Sequence, residues 1–250
     1  MNLEPAASRL LVIAALPDEV RDIVRRFRLA PASAREGARL WTGEGLAVGC
    51  TGVGHLHAQG RAAALVSDVK PARILLAGFC GGARAWAVSG TVVRATSVVS
   101  LAGPSGQPGK PMIPTWKIQV KGRGTAAPPT LDGALLTLSR VLVQPGEKRA
   151  WARVPDAAGF DCETAGWARV AEASGAPWAA VRVVLDGWDD PLAFDYDRFV
   201  DADGWPQKGR MIRHALVRPA TWMRFAADGF RARRAGRVLA GVVEAAWSSE

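Results

Sequence analysis

Three apolar runs, at 10–16, 74–77 and 178–185, show no alternation of hydrophobic and polar residues, and each is too short to be a buried helix of ordinary length. A strand without alternation is covered on both faces, which is the state of strands in parallel or mixed sheets enclosed by helices. Segments with helical spacing stand between the runs, so the chain is expected to form an α/β fold, a single domain with a mixed, twisted central sheet flanked by helices. With 250 residues, 49% of them apolar, it is long enough to bury such a core. Ligands of these sheets bind outside the carboxyl ends of the strands, so the residues that end each run are the first candidates for a site.

The first run gives way to Pro17-Asp18-Glu19 and a helical pattern through Leu29. Segments 39–43 and 46–51 read as a hairpin around Gly43-Glu44-Gly45. Gly52-Val53-Gly54 opens a helix of small residues that stops before Pro71, and the second run ends in Gly78-Phe79-Cys80-Gly81-Gly82. A further strand is expected at 92–99. Residues 103–133 hold six prolines and six glycines and are expected as loops around a short strand at 116–120. Then follow a strand at 141–143, a short helix at 146–153, a helix at 164–173 and the third run.

The net charge of +9 sits mainly in one place. Between 204 and 238 stand Lys208, Arg210, Arg213, Arg218, Arg224, Arg231, Arg233, Arg234 and Arg237 against the single acid Asp228. The rest is close to neutral, apart from Arg21, Arg25, Arg26 and Arg28. A nucleic-acid binder spreads charge along its groove and interleaves stacking aromatics, so no nucleic-acid partner is expected. Pro219 divides the tail into two helices in which Met211, Ile212, Leu216, Trp222, Met223, Phe225 and Phe230 interleave with arginines. The chain is therefore divided into a catalytic domain, 1–200, and a basic amphipathic extension, 201–250. That extension either packs on the domain or meets an anionic membrane surface.

Cys50, Cys80 and Cys162, with His55, His57 and His214, form neither a CxxC nor a paired metal-ligand spacing. No disulfide framework, metal or cofactor is expected, and a reduced, cytoplasmic setting is the default. Residues 1–8 lack the basic segment and apolar run of a secretory signal, and no stretch reaches the roughly 20 apolar residues that span a bilayer. The two histidines near Gly54, His55 and His57, are read as surface or packing residues.

Glu19, Glu163 and Asp186 each stand beside an apolar run. Each also has a purely structural reading: Glu19 in a first helical turn, Glu163 as a cap, Asp186 in a turn. The combination of motifs separates the two readings. Phe160-Asp161-Cys162-Glu163-Thr164-Ala165, Gly175-Ala176-Pro177 and Val181-Arg182-Val183-Val184-Leu185-Asp186 together resemble the signature of the nucleoside phosphorylase and nucleosidase superfamily. Ala14-Ala15-Leu16-Pro17-Asp18-Glu19, Thr51-Gly52-Val53-Gly54 and Gly78-Phe79-Cys80-Gly81-Gly82 match it in order, the first being most similar to the methylthioadenosine/S-adenosylhomocysteine nucleosidase branch. The tail resembles that of the hopanoid-biosynthesis-associated phosphorylases, thought to act as adenosylhopane nucleosidases.

The resemblance implies an N-ribosyl hydrolase acting on an adenine or related purine nucleoside with an apolar 5′ substituent. It implies Asp186 as the acid that protonates N7 of the leaving base and Glu19 as the base that orients and deprotonates water. Glu163 would accept hydrogen bonds from the ribose hydroxyls, with Cys162, Phe79, Cys80, Gly81, Gly82 and Phe160 around sugar and base. It also implies a homodimer. Two departures stand out: Leu185 replaces the serine that orients the aspartate, and Cys162 replaces a methionine. Phosphate-using members hold their anion with an arginine and a hydroxyl at the positions of Leu76 and Phe79, neither of which binds an anion. Two alternatives stay open: a phosphorylase recruiting an arginine such as Arg21 or Arg84, and an inert nucleoside- or lipid-binding homologue.

Overall fold

The structure, a computed structural model, describes residues 10–101, 108–120, 127–151 and 153–248. The elements run β1 (Leu10–Ala14), α1 (Pro17–Arg26), β2 (Ala30–Ala32), β3 (Arg39–Gly43), β4 (Leu46–Cys50), α2 (His55–Val69), β5 (Arg73–Gly82) and β6 (Val92–Ser100). They continue with β7 (Thr130–Thr137), α3 (Pro145–Trp151), β8 (Ala157–Asp161), α4 (Thr164–Ser174), β9 (Trp178–Asp186), a 3-10 turn (Tyr196–Phe199), α5 (Lys208–Leu216) and α6 (Pro219–Ser248).

The strands form one mixed sheet in the order β2-β3-β4-β1-β5-β8-β7-β6-β9, and β9 also pairs with β5, so the strands from β5 onward close on themselves. β1 is parallel to β4 and β5, and β5 is parallel to β9. β8 runs antiparallel to β5, and β9 antiparallel to β6. The register of β5 on β9 shifts between Cys80 and Gly81, and beyond that point β5 pairs with β8 through Gly81 and Gly82. Gly159 permits the approach, because a Cβ there would stand 3.0 Å from Cys80 Sγ.

The central strands are buried on both sides, as their unbroken apolar runs require. Leu11, Ile13, Ile74 and Leu76 pack against Ala58, Ala62 and Leu65 of α2 and Trp167 and Ala171 of α4. Leu10, Val12, Leu75 and Val181 pack instead against Val20 and Ile23 of α1 and Ala235, Leu239 and Val243 of α6. This strict two-residue alternation assigns one helix pair to each face. Among the described residues no helix is long and apolar enough to cross a membrane.

Several expectations are corrected. Segment 116–120 is not a strand: the N–H groups of Thr115 and Trp116 both donate to the carbonyl of Trp178, at 3.0 Å, so the chain is strapped across the start of β9. Parts of the Pro-rich stretch, 103–107 and 121–126, lie outside the described residues. Segment 141–143 is a loop, because Val141 N donates to Asp197 Oδ2 and Val143 N to Glu147 Oε2, side-chain acceptors in place of a neighbouring strand. The strand of this region is β7, upstream, which runs through the apolar Ala134-Leu135-Leu136 and ends at Thr137. The first run forms strand only to Ala14, since Leu16 becomes the N-cap of α1.

Candidate functional site

A cavity of about 350 Å³ opens at the carboxyl ends of β1, β5, β8 and β9, and Glu19, Glu163 and Asp186 all line it. Glu19 comes from the first turn of α1. Its Oε2 accepts from Ala15 N at 2.9 Å and Leu16 N at 2.8 Å, closing the helix start, and its Oε1 accepts from Phe79 N at 2.8 Å. The structural role and the site position thus belong to the same side chain. Burial pushes the Glu19 carboxyl above its usual range, opposed first by Arg182 and then by these backbone donors. Gly78 makes the arrangement possible. A Cβ there would overlap the Arg182 guanidinium and lie 2.8 Å from Glu19 Oε1.

The turn from β8 into α4 presents Asp161, Cys162 and Glu163. Arg182 of β9, 1% exposed, donates to Asp161 Oδ2 at 2.6 Å, to Thr164 Oγ1 and to the Ala77 carbonyl, while Thr137 Oγ1 donates to Asp161 Oδ1 at 2.7 Å. Asp161, not Glu163, accepts from the Thr164 N–H at the start of α4, at 3.2 Å. Glu163 is therefore not the side-chain cap of that helix. Its Oε1 accepts from Gly54 N at 3.0 Å, tying the turn to the start of α2. Burial, and then the neighbouring Asp161, push the Glu163 carboxyl up to about 8. Held near neutrality, such a carboxyl can both donate to and accept from a vicinal diol.

Asp186 ends β9 and is 5% exposed. Burial pushes it up to about 6, and the opposing influence is Lys148 of α3. This fully buried lysine donates to Asp186 Oδ2 and to the carbonyls of Gly187 at 2.9 Å and Asp190 at 2.7 Å. Sequence reasoning found Asp186 without its usual hydroxyl partner at position 185 and missed the lysine that supplies another, 38 residues away in the chain. It also missed Asp228 of α6 as a lining residue. Asp228 accepts from Ala193 N at 3.0 Å and Tyr196 Oη at 2.7 Å.

Phe79, Cys80, Gly81, Phe160 and Cys162 line the cavity as expected from the sequence, whereas Gly82 does not. Its backbone is packed against Ala87 and Gly187, where a Cβ would stand 3.4 Å from Gly187 Cα. Leu76 is in the core beside Ile13 and Trp167, so it is not a place from which an anion ligand reaches the cavity. His57 packs against Gly204, and the side chain of His55 lies outside the described ones. Much of the remaining wall is apolar, with Leu142, Leu192, Val200, Met211 and Phe225 drawn from the loops, α5 and α6. Among the described lining residues each cation is engaged. Lys148 holds Asp186, Arg140 pairs with Glu147 at 2.6 Å and Lys208 with Asp18 at 2.7 Å.

The model of the phosphorylase superfamily matches residues 9–204. No curated protein sequence matches. Among solved structures, native futalosine hydrolase of Helicobacter pylori strain 26695 superposes with a TM-score of 0.65 at 13% identity, covering 95% of this chain and 98% of its own. A 5′-methylthioadenosine/S-adenosylhomocysteine nucleosidase from Colwellia psychrerythraea, in complex with adenine, gives 0.65 at 15% identity with 97% of each chain covered. The Neisseria meningitidis nucleosidase of the same name, in complex with methylthio-immucillin-A, gives 0.63 at 17% identity, covering 95% of this chain and 99% of its own.

Proposed function

The chain belongs to the phosphorylase superfamily, and from that premise we propose that it is an N-ribosyl hydrolase releasing adenine or a related purine from a nucleoside with an apolar 5′ substituent. The observation that carries this reading is the joining of Glu19, Glu163 and Asp186 to an apolar wall in a single cavity. Asp186 protonates N7 as the C1′–N9 bond breaks and its electron pair leaves with the base. Glu163 grips the ribose hydroxyls. Glu19, held by three backbone N–H groups, orients a water and takes its proton as the oxygen joins C1′. The nucleosidase and hydrolase names of the similar folds support the reaction class.

Water is favoured over phosphate because the cavity offers a phosphate dianion no uncommitted cation among its described lining residues, and its lining includes the Glu19 carboxyl, which as a carboxylate repels a dianion. Neither Arg21 nor Arg84 lines it. The apolar wall from α5 and α6 suits an adenosyl lipid such as adenosylhopane. The test is release of free base from adenosine, 5′-alkylthioadenosines and adenosylhopane, with and without phosphate. Base release only with phosphate, yielding ribose 1-phosphate, would return the phosphorylase reading, and binding without turnover the inert one.

A substrate with a lipid tail also gives meaning to the outer side of the α5–α6 hairpin. Leu216, Val217, Trp222, Met223 and Phe230 are exposed there, Met223 by 86%, among the exposed Arg213, Arg218 and Arg224. Apolar side chains interleaved with cations fit an anionic bilayer surface. Co-sedimentation with phosphatidylglycerol but not phosphatidylcholine vesicles, weakened by salt and by changing these three arginines to Gln, tests it. Arg231 is unsuited to that test because it bonds Asp190 and Asp228. The reading includes a cytoplasmic setting and a homodimer, the latter checked by sedimentation equilibrium.

A further inference from the structure

We propose, on the hydrolase reading above, that Lys148 is the positioning residue of the leaving-group acid. Its ammonium fixes the orientation of Asp186 and neutralises the carboxylate formed when Asp186 gives its proton to the purine.

A lysine with no exposed surface is costly unless its charge and all its donors are met. Here the three ammonium protons face three acceptors: Asp186 Oδ2, Gly187 O and Asp190 O. The two carbonyls hold the Lys148 head group in place beside Asp186. What it does is grip Oδ2, leaving Oδ1 for the base, and so take over the orienting role for which Leu185 has no hydroxyl.

The other charged groups around Asp186 engage one another. From α6 come Asp228 and Arg231, from the loop after β9 Asp190, and from the 3-10 turn Tyr196. Arg231 bonds both Asp190 and Asp228, and the Tyr196 hydroxyl donates to Asp228. The buried thiol of Cys80 completes the surroundings and is held protonated by burial. Lys148 is the cation in contact with Asp186. In the reaction the proton moves from Asp186 to N7, the C1′–N9 electrons go to the base, and the state left behind is the Lys148–Asp186 ion pair. Solvent reprotonates Asp186 after the base departs.

Turnover that needs protonated Asp186 falls as pH rises through its pKa. Removing Lys148 removes the influence that lowers that pKa, so the falling limb moves to higher pH. The experiment is the pH profile of kcat/KM for adenosine in the wild type, Lys148→Met, Lys148→Gln and Lys148→Arg, normalised to folded protein. Alongside it, the Asp186 carboxyl is titrated by carbon-13 NMR. The expected result for Met and Gln is a limb, and a carboxyl titration, shifted upward by about one pH unit or more, with a plateau at least about tenfold lower. Arginine should restore part of both. A purely structural lysine would lower the folded fraction and leave limb and titration where they are in the wild type, which overturns the proposal. If the wild type releases no base from any nucleoside, the hydrolase reading fails on its own. The NMR titration then still decides whether Lys148 controls Asp186.

Discussion

Replacing Asp186 by asparagine removes the carboxylate that faces a buried ammonium, so the variant reports on folding as well as on catalysis. Lys148 keeps its two carbonyl partners and one amide oxygen but loses its countercharge. Breaking a buried pair by deleting one partner costs about 3–5 kcal/mol, and the retained amide oxygen places this case near the lower end. With a urea m-value of about 3 kcal/mol/M, a loss of about 3 kcal/mol lowers the midpoint by about 1 M. Removing both charges, in Asp186→Asn with Lys148→Met, should recover part of that loss, because the uncompensated charge goes while the carbonyls of Gly187 and Asp190 lose their donor. Per folded molecule, turnover should fall at least about a hundredfold in both, because neither has the acid. Urea denaturation at pH 7.5 of the wild type, both single variants and the double variant reads the cycle. An asparagine variant within 1 kcal/mol of wild type, or a double variant less stable than it, refutes the reasoning.

Glu19→Gln should abolish hydrolysis while calorimetry still detects nucleoside binding. It should also cost about 1–3 kcal/mol, because one amide oxygen replaces two carboxylate oxygens that meet three backbone donors. Phe225→Ala should weaken binding of a nucleoside with a long apolar 5′ substituent about 10- to 100-fold, from the lost burial of one aromatic ring. Adenosine itself should bind within a few fold of wild type. Burial holds Asp186 at about 6 and Glu163 at about 8, both above their unfolded values, so the folded state binds these protons more tightly. Their contribution to stability is complete below the unfolded values and is lost as pH rises through about 6 and then about 8. Unfolding free energy measured from pH 5 to 9 should therefore decline, and Glu163→Gln should flatten the upper part.

The sheet was legible where strands are buried on both faces, because β1 and the apolar half of β5 carry their apolar character without interruption, and β9 departs from it between Trp178 and Leu185 only at Arg182. β7 was hidden by composition. Asp132 and Gly133 interrupt its pattern, and the glycine is required by close packing, since a Cβ would lie 2.8 Å from Ala158 Cβ. The apolar 141–143 misled for the opposite reason: Leu142 is buried from a loop whose backbone is satisfied by side chains. In the site, the acids announced themselves by standing at strand ends. Lys148 did not, because a lysine in a short helix reads as solvated until tertiary structure places it against β9. The signal available was the missing hydroxyl at Leu185, which left Asp186 in need of a partner.

α6 has a bearing on how the protein is made. Phe225, Asp228, Gly229 and Ala232 of this helix line the cavity, and Ala235, Leu239, Ala240 and Val243 seal one face of the sheet. The match to the superfamily ends at 204, so this wall is built from chain beyond it. A nascent chain on the ribosome therefore carries all three acids well before it can enclose them. The pocket is finished by a helix translated after them, and a chain cut short within that helix keeps its acids in the sequence while losing the surface that shuts out water.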